Sequence, residues 1–122
     1  MTAGQIILYG LIAVIVIFYI RRFLMLRSVT HYMPDEVKSK IKNRSSVLLD
    51  VRTPAERNGN SIKNSIHIPL NELRTRLNEL NKFKEKEIIC FCRSGNRSVT
   101  AASILNKNGY DSASMKGGII NW

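Results

Sequence analysis

The sequence predicts an α/β domain around a central, mostly parallel sheet flanked by helices, preceded by one transmembrane helix. Three observations carry this expectation. "VLLDV" (47–51) and "EIICF" (87–91) are short, continuous apolar runs, as expected of strands covered on both faces. Each gives way to polar, turn-rich chain and then to a segment of helical periodicity, the alternation that builds parallel sheets. Ahead of both, Ala3 to Ile20 is a stretch of 18 residues without a charge.

That stretch is roughly 27 Å long as a helix, close to the hydrocarbon thickness of a bilayer. Arg21 and Arg22 end it, and "FLML" with Arg27 extends an interfacial segment whose arginine stems reach head groups. A cleaved signal peptide wants a basic start and a small-x-small cleavage site. "MTAGQ" has no Lys or Arg, and no Ala-x-Ala follows the run, so a retained single-span anchor over 1–27 is expected. A buried core helix is disfavoured because the run has no polar face. All three arginines follow the span, which by the positive-inside rule places the N-terminus outside and residues 28–122 in the cytoplasm, on the cell's inner membrane. Two cysteines one residue apart form no disulfide framework, in keeping with a reducing compartment.

The net charge is +10 in 122 residues. Its cations are scattered singly, with no aromatic interleaving and no nucleic-acid reading motif. Apposition to an anionic membrane surface is the simpler account, and solubility alone also suffices.

Ser28 to Tyr32 reads as a linker and residues 33–122 as the domain. Pro34 suits a first helical turn of "MPDEVKSKIKN", Asp35 and Glu36 favour its positive end, and Met33, Val37 and Ile41 mark its apolar face. "RTPAERNGNSIKNS" is polar and turn-rich, and "IHIP" is a very short strand stopped by Pro69. Asn71 is placed to cap a helix through "ELRTRLNEL", with Leu73, Leu77 and Leu80 at helical spacing. After the polar loop 92–97, "SVTAASILNKNG" is a helix with Ser98 near its start and Gly109 as its stop. "SASM" is a weak strand, and "GGIINW" opens a final turn.

Cys92 therefore falls where a buried strand ends, a few residues before a helix begins. Ligand sites in parallel sheets gather at such ends. A loop entering a helix directs backbone N–H groups inward, and the helix dipole adds positive charge. Arg93 and Arg97 add full charges, and Gly95 opens backbone conformations closed to other residues. Each effect favours thiolate, so Cys92 is expected to titrate below the ordinary value of roughly 8.5. This suits a thiolate nucleophile with an anionic substrate or intermediate. Cys90, inside the apolar run with no polar neighbour in sequence, reads as a buried structural thiol.

"DVRTPAE" (50–56), "IHIPL" (66–70), "CRSGNRS" (92–98) and "KGGIINW" (116–122) occur in that order, and together they resemble the rhodanese homology domain in its single-domain sulfurtransferase form. The resemblance covers about residues 30–122. It implies a small α/β domain that transfers a sulfane sulfur. Cys92 would attack the outer sulfur of thiosulfate or a related donor, become a persulfide, and pass that sulfur to cyanide or a thiol acceptor. The loop Arg93, Ser94, Gly95, Asn96 and Arg97 would bind the substrate, the two arginines holding an oxyanion donor or a leaving group such as sulfite. Asp50 and Arg52 match the family's "DVR" signature, which fixes the neighbouring loop. For them a structural ion pair is the expected role, with Glu56 a candidate partner for a loop arginine and Ser98 in support.

Three departures stand out. Where the family commonly reads Gly-His-Ile-x-Gly-Ala, this chain has Asn60-Ser61-Ile62-Lys63-Asn64-Ser65, so a glycine turn is built otherwise. His67 replaces a residue that is often Asn and is expected to be structural. The chain ends at Trp122, where related domains often continue for another turn or two of helix. Phosphatases and arsenate reductases of this fold use a Cys-x5-Arg loop, whereas Cys92 to Arg97 is Cys-x4-Arg, the shorter loop that suits sulfur. A non-catalytic, membrane-tethered binding module is the other alternative, weighed down by the retained cysteine and both arginines. Two cysteines one residue apart and two distant histidines make no tetrahedral zinc set, and no nucleotide or flavin motif is present, so no metal or cofactor is expected.

Overall fold

The computed structural model describes residues 1–122, without the side chains of residues 25–27, so the expected interfacial role of Arg27 lies outside the described residues. The chain runs α1 (Ala3–Ser28), β1 (His31–Tyr32), α2 (Pro34–Lys42), β2 (Ser46–Asp50), α3 (Pro54–Gly59), β3 (Ile66–His67) and α4 (Leu70–Leu73). A 3₁₀ turn (Leu77–Phe83), β4 (Glu87–Phe91), α5 (Asn96–Lys107), β5 (Asp111–Met115) and a last 3₁₀ turn (Gly118–Asn121) complete it. The five strands form one sheet in the order β1-β5-β4-β2-β3, every pair parallel.

The apolar runs at 47–51 and 87–91 are β2 and β4 at the sheet's centre, and the two-sided burial read from them is present. Alternate residues point to opposite faces of a strand. On β4, Ile88 and Cys90 join a cluster with Val99, Ala102 and Leu105 of α5, while Ile89 and Phe91 join Val37 of α2 and Met115. Leu49 and Leu48 of β2 divide between the same two clusters. From β2 the chain moves outward to β3, and from β4 it moves the other way to β5. The loops after β2 and β4 therefore diverge, which opens a crevice at the carboxyl ends of the two central strands.

Several expectations need correction. The segment 28–32 is more than a linker: α1 continues to Ser28, Val29 is buried in the domain core, and His31–Tyr32 pair with Ser114–Met115 as an edge strand. Two-residue edge strands carry too little periodicity to announce themselves. Met33 is exposed at the start of α2 rather than on its buried face. The polar stretch after β2 contains α3, whose signal was present as a capping box. Thr53 Oγ1 accepts from the Glu56 amide, and the Glu56 carboxylate accepts from the Thr53 amide. Asn71 lies inside α4, which begins after Pro69, and the expected helix through "ELRTRLNEL" breaks at Arg74–Arg76. There Thr75 Oγ1 donates to the Glu72 carbonyl at 2.9 Å, a local bond that competes with helix continuation.

The altered turn after α3 is built around Asn64, whose φ of 66° lies in the left-handed region that Asn tolerates better than most residues. Ser65 Oγ closes it by donating to the Ile62 carbonyl at 2.6 Å.

Over its described residues helix α1 is largely apolar and exposed. Ala3–Leu24 is long and apolar enough to cross a membrane, and none of that window is buried against the domain. Burial inside this domain therefore does not account for its composition.

Candidate active site

Cys92 is the first residue after β4, and the loop it opens turns back around its own sulfur. Gly95, with φ 113°, provides the reversal and serves as the N-cap of α5. The Gly95 N–H donates to Cys92 Sγ at 3.0 Å. The Cys92 thiol in turn lies 3.7 Å from Ser98 Oγ, and only 1% of the residue is exposed. Burial, the largest single influence, pushes this thiol up. It is outweighed by the Ser98 amide and hydroxyl and by the amides of Gly95 and Ser94, so the Cys92 pKa is lowered overall.

The lowering expected from sequence is thus present, and the inward amides named for it there lead it together with the Ser98 hydroxyl, ahead of Arg93 and Arg97. The Arg97 guanidinium makes a two-pronged pair with the Glu56 carboxylate at 2.6 and 2.8 Å, the loop-arginine partnership expected as a candidate for Glu56, so Arg97 is held structurally where it was also expected to bind substrate. Arg93 is exposed, and its guanidinium has no ion-pair partner among the described residues. Ser94 is exposed beside it, and Asn96 is the exposed first residue of α5.

The facing wall of the crevice is the 50–60 segment. The buried Asp50 carboxylate accepts from the Arg52 amide at 3.0 Å, from Arg52 Nε and Nη2 at 2.9 Å each, and from Arg57 Nη1 at 3.2 Å. Arg52, 2% exposed, lies against the Phe91 ring and donates from Nη1 and Nη2 to the Asn60 side chain and carbonyl at 2.9 and 2.7 Å. His67 Nε2 meets the Arg52 carbonyl at 2.8 Å, the structural role expected of it. Arg57 and Asn60 were not singled out from sequence, since nothing local marks an arginine for a carboxylate seven residues back. Between the walls lies a cavity of about 380 Å³ lined by Arg52, Glu56, Asn60, Arg93, Ile119 and Ile120.

The other cysteine is shifted the opposite way. Cys90 is completely buried in β4, and burial pushes its thiol up to about 12. It is not without a polar neighbour, as Ser112 Oγ lies 3.5 Å away. Among the described residues no group of three His, Cys, Asp or Glu side chains is placed to hold a metal ion.

The Glu56–Arg97 pair joins the two walls and supports a pH prediction. Its hydrogen bond to Arg97, more than any other influence, holds the Glu56 carboxyl well below its ordinary value of 4.5, at about 2. A carboxyl lowered in the folded state contributes stability above its unfolded value and loses it as pH falls through the folded one. Urea midpoints of wild type and Glu56→Gln should therefore differ fully at neutral pH and converge between about 4.5 and 2. Both side chains are about one-third exposed, so screening keeps the gap modest. A gap unchanged at low pH would refute the pairing.

Residues 33–122 match the family described as rhodanese-like domain. A sulfurtransferase of Allochromatium vinosum is 32% identical over 90 residues, which span 72% of this chain and 82% of that protein. A rhodanese-related protein of Thermoplasma volcanium superposes with a TM-score of 0.70 at 34% identity, over 76% of this chain and 89% of that one. A thiosulfate sulfurtransferase of Pseudomonas aeruginosa superposes with a TM-score of 0.69 at 26% identity, over 79% of this chain but 19% of that longer one.

Proposed function

Since this chain belongs to the family of rhodanese-like domains and its relatives include a sulfurtransferase, we propose that it transfers sulfane sulfur through a persulfide on Cys92. The observation that carries this reading is the sulfur's position among inward-facing donors, with the Gly95 N–H at 3.0 Å. Such donors stabilise a thiolate before reaction and the terminal sulfur's negative charge after it.

With thiosulfate, the Cys92 thiolate attacks the outer sulfur. An S–S bond forms to Cys92, the sulfur–sulfur bond of thiosulfate breaks, and sulfite leaves with the electron pair. Cyanide or an acceptor thiolate then attacks the terminal sulfur and restores the Cys92 thiolate. Neither step needs an external oxidant or reductant. Arg93 is the cation for the donor's oxyanion, since Arg52 and Arg97 are committed to Asp50 and Glu56. Arg97 holds the loop against α3. That engagement also weakens the phosphatase alternative, in which the loop arginine would face the phosphate.

The N-terminal helix supports a membrane-tethered form: an anchor over 1–27, the N-terminus outside and the domain in the cytoplasm. If so, alkaline washing leaves the protein in the membrane fraction, and protease added outside intact spheroplasts leaves residues 33–122 uncut. Release by alkali or external cleavage would refute the respective halves.

The reaction class is tested by intact mass after incubation with thiosulfate. The expected result is a gain of one sulfur atom, present in Cys90→Ser, absent in Cys92→Ser, and discharged by cyanide as thiocyanate. Arg93→Ala should load at saturation but need roughly 10- to 100-fold more thiosulfate, the loss of a charge-assisted hydrogen bond. Sulfur on Cys90, or none in wild type, would overturn the proposal.

A further inference from the structure

Next to Cys92, two buried hydroxyls stand in line. Ser98 Oγ is 3.7 Å from Cys92 Sγ, and Ser114 Oγ is 2.7 Å from Ser98 Oγ. Both serines are fully buried. Ser98 also donates to the Gly95 carbonyl at 2.9 Å. We propose that Ser114, at the end of β5, is a positioning residue that works through Ser98 to stabilise the Cys92 thiolate.

The argument follows from counting protons. Each hydroxyl has one hydrogen. With Cys92 protonated, its S–H points at Ser98 Oγ, Ser98 donates to the Gly95 carbonyl, and Ser114 donates to Ser98. Once the thiol loses its proton to solvent, the sulfur only accepts. Ser98 must then turn its O–H from the Gly95 carbonyl to the sulfur. That exchanges a bond to a neutral carbonyl for one to an anion, the stronger of the two. The Ser98 oxygen now has one remaining donor, Ser114, and a hydroxyl whose oxygen accepts a bond is itself a stronger donor. The serines reorient, and no proton passes along them.

Small residues on β5 fit this placement. A larger side chain at position 114 would fill the space between β5 and the start of α5, where a hollow is lined by His31, Ser94, Asn96, Val99 and Lys116 as well as Ser114. The ionisable groups around this assembly are Cys90 on β4, Arg97 on α5, His31 on β1 and Lys116 beyond β5.

The inference rests on the sulfurtransferase reading for its purpose, but its test does not use sulfur transfer. Thiolate absorbance is followed against pH in the full chain, with Cys92→Ser subtracted as blank. Ser114→Ala should lower the thiolate fraction near neutral pH about three- to tenfold, the worth of one hydrogen bond. Ser114→Thr, which keeps the hydroxyl, should restore it. In a Ser98→Ala background, Ser114→Ala should add nothing. The proposal is overturned if Ser114→Ala titrates as wild type, if Ser114→Thr behaves as Ser114→Ala does, or if the effect persists without the Ser98 hydroxyl. Failure here with normal persulfide loading removes the relay alone. A normal relay without loading removes the sulfurtransferase reading.

Discussion

Gly118→Ala is expected to lower stability by about 3 kcal/mol and sulfur transfer by about a hundredfold. Gly118 has φ 65°, a conformation that costs an ordinary L-residue roughly 1–2 kcal/mol. A Cβ there would also collide with the carbonyls of Arg93 and Cys92, which are backbone atoms and cannot swing aside. Relieving that overlap moves the last turn away from the Cys92 loop, at a further cost typical of overpacking, about 1–3 kcal/mol. The Ile119 N–H donates to the Cys92 carbonyl at 2.9 Å, so the displaced turn also releases the residue proposed to carry the sulfur. A misplacement of about 1 Å is enough for the rate loss. Gly59→Ala is the control. Nothing lies within 4 Å of its Cβ position, and it should change stability by no more than about 0.5 kcal/mol. Denaturant melts and thiocyanate production check both variants. Equal, small effects at the two glycines would show that the final turn does not brace the loop.

This contact explains why "KGGIINW" accompanies the cysteine loop at such a distance in sequence, something no local reading supplies. What was legible was local. Continuous apolar runs announced β2 and β4 because both faces of those strands are buried, and the strand–loop–helix order placed Cys92 at a carboxyl edge. The amide cradle followed from that order alone. The jobs of the arginines did not. Arg93 and Arg97 look alike in sequence, yet Glu56, 41 residues earlier, takes one and leaves the other at the crevice. Leu73, Leu77 and Leu80 have helical spacing, but the chain turns at Arg74–Arg76, where a threonine side chain competes for a helix carbonyl. Ser114 sits in a strand of small residues with a weak pattern, and only its distance to Ser98 reveals it.

The second large effect is expected at Asp50, which touches no reacting atom. Asp50→Ala should destabilise the protein by about 3–5 kcal/mol, the usual consequence of removing one partner from a buried ion pair. The pair itself need not be a strong net source of stability, because desolvating two charges offsets much of their attraction. The asymmetry arises on breaking it. Arg52 is 2% exposed and cannot lose its charge, so without the carboxylate a guanidinium is left in the interior with only Asn60 and the Glu56 carbonyl as partners. Arg57 would lose its contact to Asp50 as well, while keeping Ser65. The damage should spread to the site by a definite route: Arg52 and Arg57 fix α3, α3 presents Glu56, and Glu56 holds Arg97. Asp50→Ala is therefore expected to raise the thiosulfate requirement as well as lower the melting midpoint. Replacing both partners with apolar residues, as in Asp50→Leu with Arg52→Met, should recover much of the lost stability, since no buried charge remains. It should not recover the thiosulfate requirement, because Asn60 and the C-terminal end of α3 would no longer be tied down. If the double variant is no more stable than Asp50→Ala, the stranded guanidinium is not what destabilises the single one.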